Sequence, residues 1–167
     1  NKIAKIFNPF SISNNIDISL KRHYVAWVGI FQYQKNLSAL LRIVDNMPNI
    51  KFKIAGESLH TIDNNTRENL LKLKNRSNVK FVGLLDNKDI LKFLSQAYCL
   101  LNTSHYEGFS NTYLESLSVG TPIVTRQETD PDGIIKKNSL GISVIKYSDI
   151  PNAILNIIDK NNNVSYK

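Results

Sequence analysis

Two glutamates separated by seven residues carry the strongest chemical signal in this sequence. Gly108 directly follows Glu107, and the polar side chains at 110–112 can each cap a helix that continues to Glu115. Amides in a first helical turn, at the positive end of the helix dipole, bind anions such as phosphate. Glycine lets a ligand approach the backbone closely. With a rise of about 1.5 Å per residue, Glu115 lies further along the helix, so the pair suits a ligand with hydroxyls on both sides of a diphosphate.

Simpler interpretations exist for the charged residues of this region. Glutamate is mostly a surface residue, so Glu107 and Glu115 taken alone would be a loop carboxylate and an exposed helical residue. Lys35 would be a solvated lysine beside a helix cap. His105 is a further candidate beside Glu107, although an imidazole at a loop edge is more typical of a hydrogen-bonded structural group. We favour binding roles for Lys35 and the two glutamates because further motifs accompany them.

Other chemistries find little support in the sequence. His23 and His60 have no carboxylate or cysteine at the spacing of metal ligands, so we predict two surface histidines and no metal site. Cys99 is the single cysteine, which excludes an internal disulfide, and its apolar neighbours predict a buried small hydrophobe. Ser104 and Ser110 lack a base and an orienting group, so a hydrolase triad is not supported.

Alternating strands and helices must position these residues. Apolar runs predict the strands, and the first three runs are closed by Gly29, Gly56 and Gly83. Helical periodicity and capping residues predict the helices, with Leu70, Leu71 and Leu73 facing inward on the second one. The predicted strands are 24–28, 51–55, 79–82, 97–101, 121–125 and 141–145, and the predicted helices are 37–47, 61–75, 87–94, 110–119, one from Asp130-Pro131 onward, and 150–158.

This order of elements predicts an α/β fold of the Rossmann-like class. The sheet should be open and mostly parallel, with helices on both faces and right-handed crossovers. Such sheets bind ligands outside the carboxyl ends of their strands, where the loops after Val28, Ala55, Val82 and Leu101 gather. We expect one domain over 24–160, a lead-in segment or edge strand over 1–23, and a flexible tail over 161–167.

The net charge favours an anionic partner without identifying it. Lysine and arginine exceed aspartate and glutamate by 21 to 14, a formal charge of +7. The lysines are scattered, without the basic runs and interleaved aromatics of a nucleic-acid surface, so we expect no nucleic-acid partner. A solvated basic surface is the simpler explanation, and an acidic membrane surface is a partner that the charge allows. Without an apolar run of roughly 20 residues or a signal-peptide core, we expect a cytoplasmic domain that docks at most peripherally on the membrane's inner face.

Four motifs occur in the order found in a known enzyme family. The segment 106–124 resembles the E-x7-E segment of the retaining glycosyltransferases of family 4, which have two Rossmann-like domains (the GT-B fold). Residues 27–29 with Lys35-Asn36 resemble the first loop of that family's carboxy-terminal domain. Residues 78–83 resemble its base-binding loop, and 130–133 resemble a segment of one bacterial and archaeal subgroup. The resemblance covers roughly 24–145.

The resemblance implies a role for each matching residue. Glu107 would be catalytic, contacting the donor sugar and stabilising positive charge at its anomeric carbon. Glu115 would hold the ribose hydroxyls, and Lys35 would neutralise the departing diphosphate. The other implied donor contacts are Gly29 in the first loop, Gly83 and Leu84 at the base, and the backbone of Gly108, Phe109, Ser110 and Asn111 at the sugar or phosphates. Family members generally need no metal, so no cofactor is expected beyond a UDP- or GDP-sugar donor.

One position departs from the family pattern. Many members carry an arginine directly after the loop glycine, whereas Gly29 is followed here by Ile30. Three explanations remain open: Lys35 acts alone, another cation such as Arg126 substitutes, or phosphate binding is weaker than in typical members.

The resemblance also implies a partner domain. In the family, an amino-terminal Rossmann-like domain binds the acceptor and closes over the donor. We therefore expect this chain to be the excised donor-binding half of an enzyme that transfers a hexose to a polysaccharide or glycolipid, and to transfer nothing by itself. Two alternatives are a sugar-nucleotide epimerase of the same architecture and a noncatalytic α/β binding module that uses its basic surface.

Overall fold

A computed structural model describes residues 21–58 and 61–164. Most of the predicted lead-in segment, and His60, lie outside the described residues. Of that segment only 21–23 are described, and they belong to no strand or helix.

Strands and helices alternate along the whole described chain. The strands are β1 (Tyr24–Val28), β2 (Phe52–Ala55), β3 (Val79–Gly83), β4 (Ala97–Leu101), β5 (Ile123–Arg126) and β6 (Gly141–Val144). The helices are α1 (Leu37–Asp45), α2 (Asn64–Lys74), α3 (Asn87–Ser95), α4 (Asn111–Ser118), α5 (Ile134–Lys137) and α6 (Ile150–Val164).

The strands form one parallel sheet in the order β3-β2-β1-β4-β5-β6. Helices α1, α2 and α6 pack on one face of the sheet, and α3, α4 and α5 pack on the other. Successive β1 residues alternate between the two cores, with Val25 and Trp27 in the first and Tyr24 and Ala26 in the second. The predicted Rossmann-like α/β fold, open and parallel with both faces covered, is confirmed.

Helix α1 shows how local sequence produces these elements. Asn36 has a left-handed backbone (φ 50°), and its side-chain oxygen accepts a hydrogen bond from the Ala39 amide at 3.1 Å, which satisfies one of the unpaired donors of the first turn. Leu37, Leu40 and Val44 recur at helical spacing and are buried against β1 and β2. The cap and the buried face of α1 thus both follow from local sequence.

Helix α2 differs from the prediction in its start and in one inward residue. It begins at Asn64 rather than 61, because the Asp63 carboxylate caps it by accepting from the Thr66 amide at 2.9 Å. Leu71 is 56% exposed, so its predicted inward position is wrong. At about 100° per residue, Leu71 cannot share the face that buries Leu70 and Leu73.

Two differences concern the carboxy-terminal third. The helix predicted from Asp130-Pro131 is a 3-10 turn over Pro131–Gly133, followed by the short α5. Asp132 takes a left-handed conformation (φ 55°) that interrupts the helix, and the Asp130 carboxylate accepts from the Ile135 amide of α5 at 2.9 Å. Helix α6 continues through Val164, past the predicted end at 158 and into the predicted tail, because neither glycine nor proline interrupts 152–164. Residues 165–167 lie outside the description.

Candidate functional site

The candidate site lies where the order of strands reverses. Strand β1 pairs with β2 on one side and with β4 on the other, so the chain connections leave in opposite directions at this point. A crevice opens there at the carboxyl ends of parallel strands. The loop after β1 contains Lys35, and the loop after β4 contains Glu107.

Lys35 and Glu107 form an ion pair across these two loops. The Lys35 Nζ lies 3.0 Å from Glu107 Oε1 and 3.1 Å from Oε2. The two side chains are only 16% and 8% exposed, so water screens their attraction less than at an open surface. The sequence predicted both residues as ligand contacts but did not predict that they would contact each other.

Three hydrogen bonds, of which the Trp27 bond is buried, fix the two loops against each other. The Trp27 indole donates to Thr103 Oγ1 at 3.0 Å, and that hydroxyl donates to the Lys35 carbonyl at 2.8 Å. The backbone of His105 donates to the Gln34 carbonyl at 2.8 Å. Trp27 is itself a buried core residue, so its indole links the core to the site.

Tyr147, which precedes α6, is a third support that the sequence did not reveal. Its hydroxyl accepts from Asn36 Nδ2 at 2.9 Å and lies 3.0 Å from the Thr103 carbonyl and 3.2 Å from the Ser104 carbonyl. One hydroxyl therefore joins the cap of α1 to the loop after β4. A tyrosine in a polar turn carries no pattern that predicts this role.

Arg126, one candidate for the missing arginine, already has a partner. Its guanidinium contacts both carboxylate oxygens of Glu128, at 2.6 and 2.9 Å, and lies 4.5 Å from the centre of the Tyr147 ring. These contacts raise the pKa of Arg126, the Glu128 bond most of all. A phosphate would have to compete with Glu128 for the charge of Arg126.

Helix α4 presents its amino terminus to the same crevice. The predicted residues Gly108, Phe109 and Ser110 form the turn before the helix, and Asn111 is its first residue. Ser110 occupies the cap position with an extended backbone, and its side chain makes no capping hydrogen bond. The amides of the first turn therefore have no side-chain cap from Ser110.

Gly108 is not required by the conformation or packing of the described protein. Its φ lies outside the left-handed region, and a Cβ added there would meet no heavy atom within 4 Å beyond its chain neighbours. The space beside it is open. A side chain at this position would obstruct only something that enters that space.

Glu115 lies in the second turn of α4, half-buried. Burial raises the pKa of its carboxyl because the charged form loses solvation.

Tyr113 anchors helix α4 to the sheet. Its buried hydroxyl lies 3.0 Å from Thr125 Oγ1 and donates to the Thr129 carbonyl at 3.0 Å, which anchors α4 to the end of β5.

An apolar cleft of about 280 Å³ adjoins the crevice at the ends of β1, β2 and β3. Its lining includes the predicted residues Gly29 and Leu84, together with Ile30, Ala55 and Ile90. Gly83 ends β3, directly before Leu84. Gly29 is closely packed, since a Cβ there would lie 3.2 Å from both the Lys35 side chain and the Trp27 ring. The cleft can accommodate a flat, largely apolar group.

The two described histidines and the single cysteine occupy structural positions outside the donor-binding groups. His105 is exposed, and its ring stacks on Tyr33 with 4.8 Å between centres. His23 is exposed at the opposite edge of the sheet. Cys99 is fully buried, and burial raises the pKa of its thiol to about 12, which confirms the predicted small hydrophobe.

Among the described residues, no three His, Cys, Asp or Glu side chains are grouped so that they could hold a metal ion. None of the described helices is long and apolar enough to cross a membrane.

Comparison with known proteins gives a family match over most of the chain. The model of the family described as glycosyl transferases group 1 matches residues 10–164. Glycogen synthase from Mycobacterium tuberculosis is 33% identical over 106 residues, which cover 59% of this chain and 24% of that protein.

Solved structures of similar fold are more distant in sequence. Sucrose-phosphate synthase from Thermosynechococcus elongatus matches with a TM-score of 0.71 and 22% identity over 89% of this chain and 38% of that one. TarM from S. aureus, solved in a complex that includes UDP, matches with a TM-score of 0.65 and 21% identity over 95% of this chain and 34% of that one. At these identities the structural matches show the shared fold. The chain spans less than half the length of each of these proteins.

Proposed function

This chain belongs to the glycosyl transferases group 1 family, and we propose that it is the half of the enzyme that binds the donor. The donor is a UDP- or GDP-sugar, from which a hexose is transferred to a polysaccharide or glycolipid acceptor. The observation that carries the proposal is the Lys35–Glu107 ion pair, which lies in the crevice of the parallel sheet near the amino terminus of α4.

The ion pair explains how one site can bind both the negative diphosphate of a nucleotide sugar and the anomeric carbon, which becomes positive during transfer. The diphosphate competes with Glu107 for the Lys35 ammonium, because phosphate oxygens are strong acceptors for a charged donor. Once Lys35 turns to the diphosphate, the Glu107 carboxylate is available to the sugar. There it stabilises the positive charge that develops at the anomeric carbon as the diphosphate leaves.

The neighbouring features fit the other parts of the donor. The apolar cleft at Gly29 and Leu84 takes the base, and the half-buried Glu115 carboxylate accepts from the ribose hydroxyls. The backbone from Gly108 to Asn111 donates to the phosphates or sugar, where the helix dipole favours negative charge. Gly108 supports this placement because only an incoming ligand would be obstructed by a side chain there.

We propose that transfer proceeds with retention and without a metal ion. Lys35 and the amino terminus of α4 supply the positive charge that the departing diphosphate requires. Ile30, in place of the arginine common in the family, leaves this site with one fewer cation. We therefore expect weaker diphosphate binding than in members that have the arginine.

Acceptor binding is assigned to a second domain. The proposal rests on the short span of this chain relative to its relatives and on the open crevice, which a second domain would close against water. By itself the chain should bind donor without turnover. The excess of seven positive charges supports peripheral docking on an acidic membrane at the cytoplasmic face, where a lipid-linked acceptor would be found.

A thermal-shift panel of nucleotide sugars tests the proposal. A true donor at about 100 times its dissociation constant should stabilise the chain by about 2.7 kcal/mol, and Glu115→Ala should reduce that shift. Glu68→Ala, which removes an exposed glutamate of α2, is the matched control and should leave it unchanged. No stabilisation by any member of the panel would contradict donor binding, and release of an altered sugar without acceptor would indicate an epimerase instead.

A further inference from the structure

A second cleft, of about 410 Å³, opens at the opposite edge of the sheet, where β1, β2 and β3 begin. Its cationic side chains are Lys51, Lys53 and Lys80, beside His23. No aspartate or glutamate is among the described residues that line it. We call it the basic cleft. The candidate donor site lies at the carboxyl ends of the same strands, so the sheet separates the two.

Strand register brings the lysines together. Lys53 of β2 and Lys80 of β3 are directly paired neighbours in the parallel sheet. Paired residues of adjacent strands point to the same face, and the strands lie about 4.8 Å apart. Lys51 precedes Lys53 by two residues and continues on that face. Like charges placed side by side destabilise a sheet, so this arrangement costs folding free energy unless an anion offsets it.

Lys53 is also held in position. Its ammonium lies 3.9 Å from the centre of the Tyr24 ring, and the buried Tyr24 hydroxyl donates to the Phe93 carbonyl at 2.6 Å. Partial burial and the charge of Lys80 both lower the pKa of Lys53, burial being the larger cause. The ammonium therefore lies in the cleft, over a ring that its own hydrogen bond anchors.

These lysines differ from cations elsewhere in the domain. Lys35, Arg76 and Arg126 each lie within 3.0 Å of a carboxylate oxygen. Within the described part of the chain, none of the three lysines of the basic cleft has a carboxylate partner within ion-pair distance. The cleft therefore offers positive charge that the described protein does not itself neutralise.

We propose that the basic cleft binds a phosphate-bearing anion, as a site separate from the donor site. Ammonium groups on neighbouring strand positions match a ligand with two or more negative charges on clustered oxygens, the geometry of charge-assisted hydrogen bonds to phosphate. Binding relieves the repulsion between Lys53 and Lys80. The proposal does not depend on donor binding, because the two sites use opposite edges of the sheet.

Backbone amide NMR with pyrophosphate as the probe tests the proposal. Pyrophosphate should shift the amides of 51–53 and 77–80 saturably, whereas any separate binding at the donor site would shift the amides of 35 and 107–111. Lys53→Gln/Lys80→Gln should raise the dissociation constant about tenfold or more, as expected when charged hydrogen bonds are lost. The control Lys72→Gln/Lys92→Gln removes two exposed lysines outside the cleft. It should change the dissociation constant of pyrophosphate less than about twofold. Denaturant unfolding of both double variants verifies that each is folded.

Vesicles distinguish the source of the phosphate. Saturable binding of pyrophosphate supports a small soluble ligand. Binding to phosphatidylglycerol vesicles that Lys53→Gln/Lys80→Gln abolishes, without a response to pyrophosphate, supports the phosphate of a lipid headgroup. Equal behaviour of the two double variants toward both probes, or no binding of either probe, would overturn the site and leave donor binding unaffected.

Discussion

The Lys35 ammonium lies 3.0 Å from the Glu107 carboxylate, although the two residues belong to loops that follow different strands. The contact brings together the cation that would bind a diphosphate and the carboxylate that would face the sugar. A second link, from the Thr103 hydroxyl to the Lys35 carbonyl, joins the same two loops. Neither loop can therefore move far without breaking these contacts.

The coupling between these two charges can be measured as a stability cycle. Lys35→Met leaves the largely buried Glu107 carboxylate without its cation, so the free energy of unfolding should fall by about 1–3 kcal/mol. Lys35→Met/Glu107→Gln should recover most of that loss, as measured by urea unfolding. Arg76→Met breaks an exposed ion pair with Asp45 and should cost far less, because water screens that pair. Equal losses for Lys35→Met and Arg76→Met would show that the site pair is not coupled.

Gly108→Ala tests whether the open space beside the turn belongs to a ligand. No strained φ and no neighbouring atom opposes the methyl group, so the free energy of unfolding should change by no more than about 0.5 kcal/mol. Binding of the nucleotide sugar should weaken about tenfold, the cost expected of an overpacked contact. Calorimetric titration of the folded variant measures its affinity for the nucleotide sugar, and an unchanged affinity would place the ligand away from Gly108.

Restoring a cation at position 30 should strengthen the site. Ile30 is 38% exposed and lines the apolar cleft, so Ile30→Arg should leave stability nearly unchanged and tighten UDP binding about three- to tenfold. Leu84→Arg adds the same charge to the other side of the cleft, where it should not tighten binding. If both variants gain equally, the effect is general attraction rather than a diphosphate contact.

The Glu115 carboxyl predicts a pH dependence with a definite sign. Its pKa is raised above the ordinary 4.5 by burial, so the folded state takes up the proton more readily than the unfolded state. Protonation of Glu115 therefore adds to the free energy of unfolding below pH 4.5, and this added stability is lost as pH rises through the raised pKa. Glu115→Gln should therefore be more stable than the wild type near neutral pH, and the difference should shrink toward pH 4. Denaturant unfolding between pH 4 and 7 checks this, and a difference that does not vary with pH would contradict the burial argument.

Local patterns predicted most of the fold. Buried parallel strands are continuous apolar runs, and Asn36 and Asp86 cap the first turns of α1 and α3. The sequence predicts Leu70, Leu71 and Leu73 alike as inward, and only the rotation of α2 against its neighbours decides that Leu71 is the exposed one. The left-handed Asp132 interrupts a helix that Asp130-Pro131 would otherwise begin. Such conformations depend on packing that a single sequence does not contain.

The sequence predicts which residues belong to the candidate site but not the contacts that connect them. Residues 107–115 form a local motif, so its turn and helix could be inferred directly. The Lys35–Glu107 contact joins positions 72 residues apart, and Tyr147 reaches Asn36 across 111 residues. Periodicity and capping act within a few turns, so they cannot specify which distant side chains meet.

Calorimetric titration of one nucleotide sugar and its bare nucleotide, into wild type and Glu107→Gln, tests the central claim most directly. In the wild type, the sugar should add to the binding free energy through Glu107. In Glu107→Gln, Lys35 is released to the diphosphate, so the bare nucleotide should bind at least as tightly while the contribution of the sugar is lost. A contribution of the sugar that is the same in both proteins, or no saturable binding of either ligand, would contradict the account.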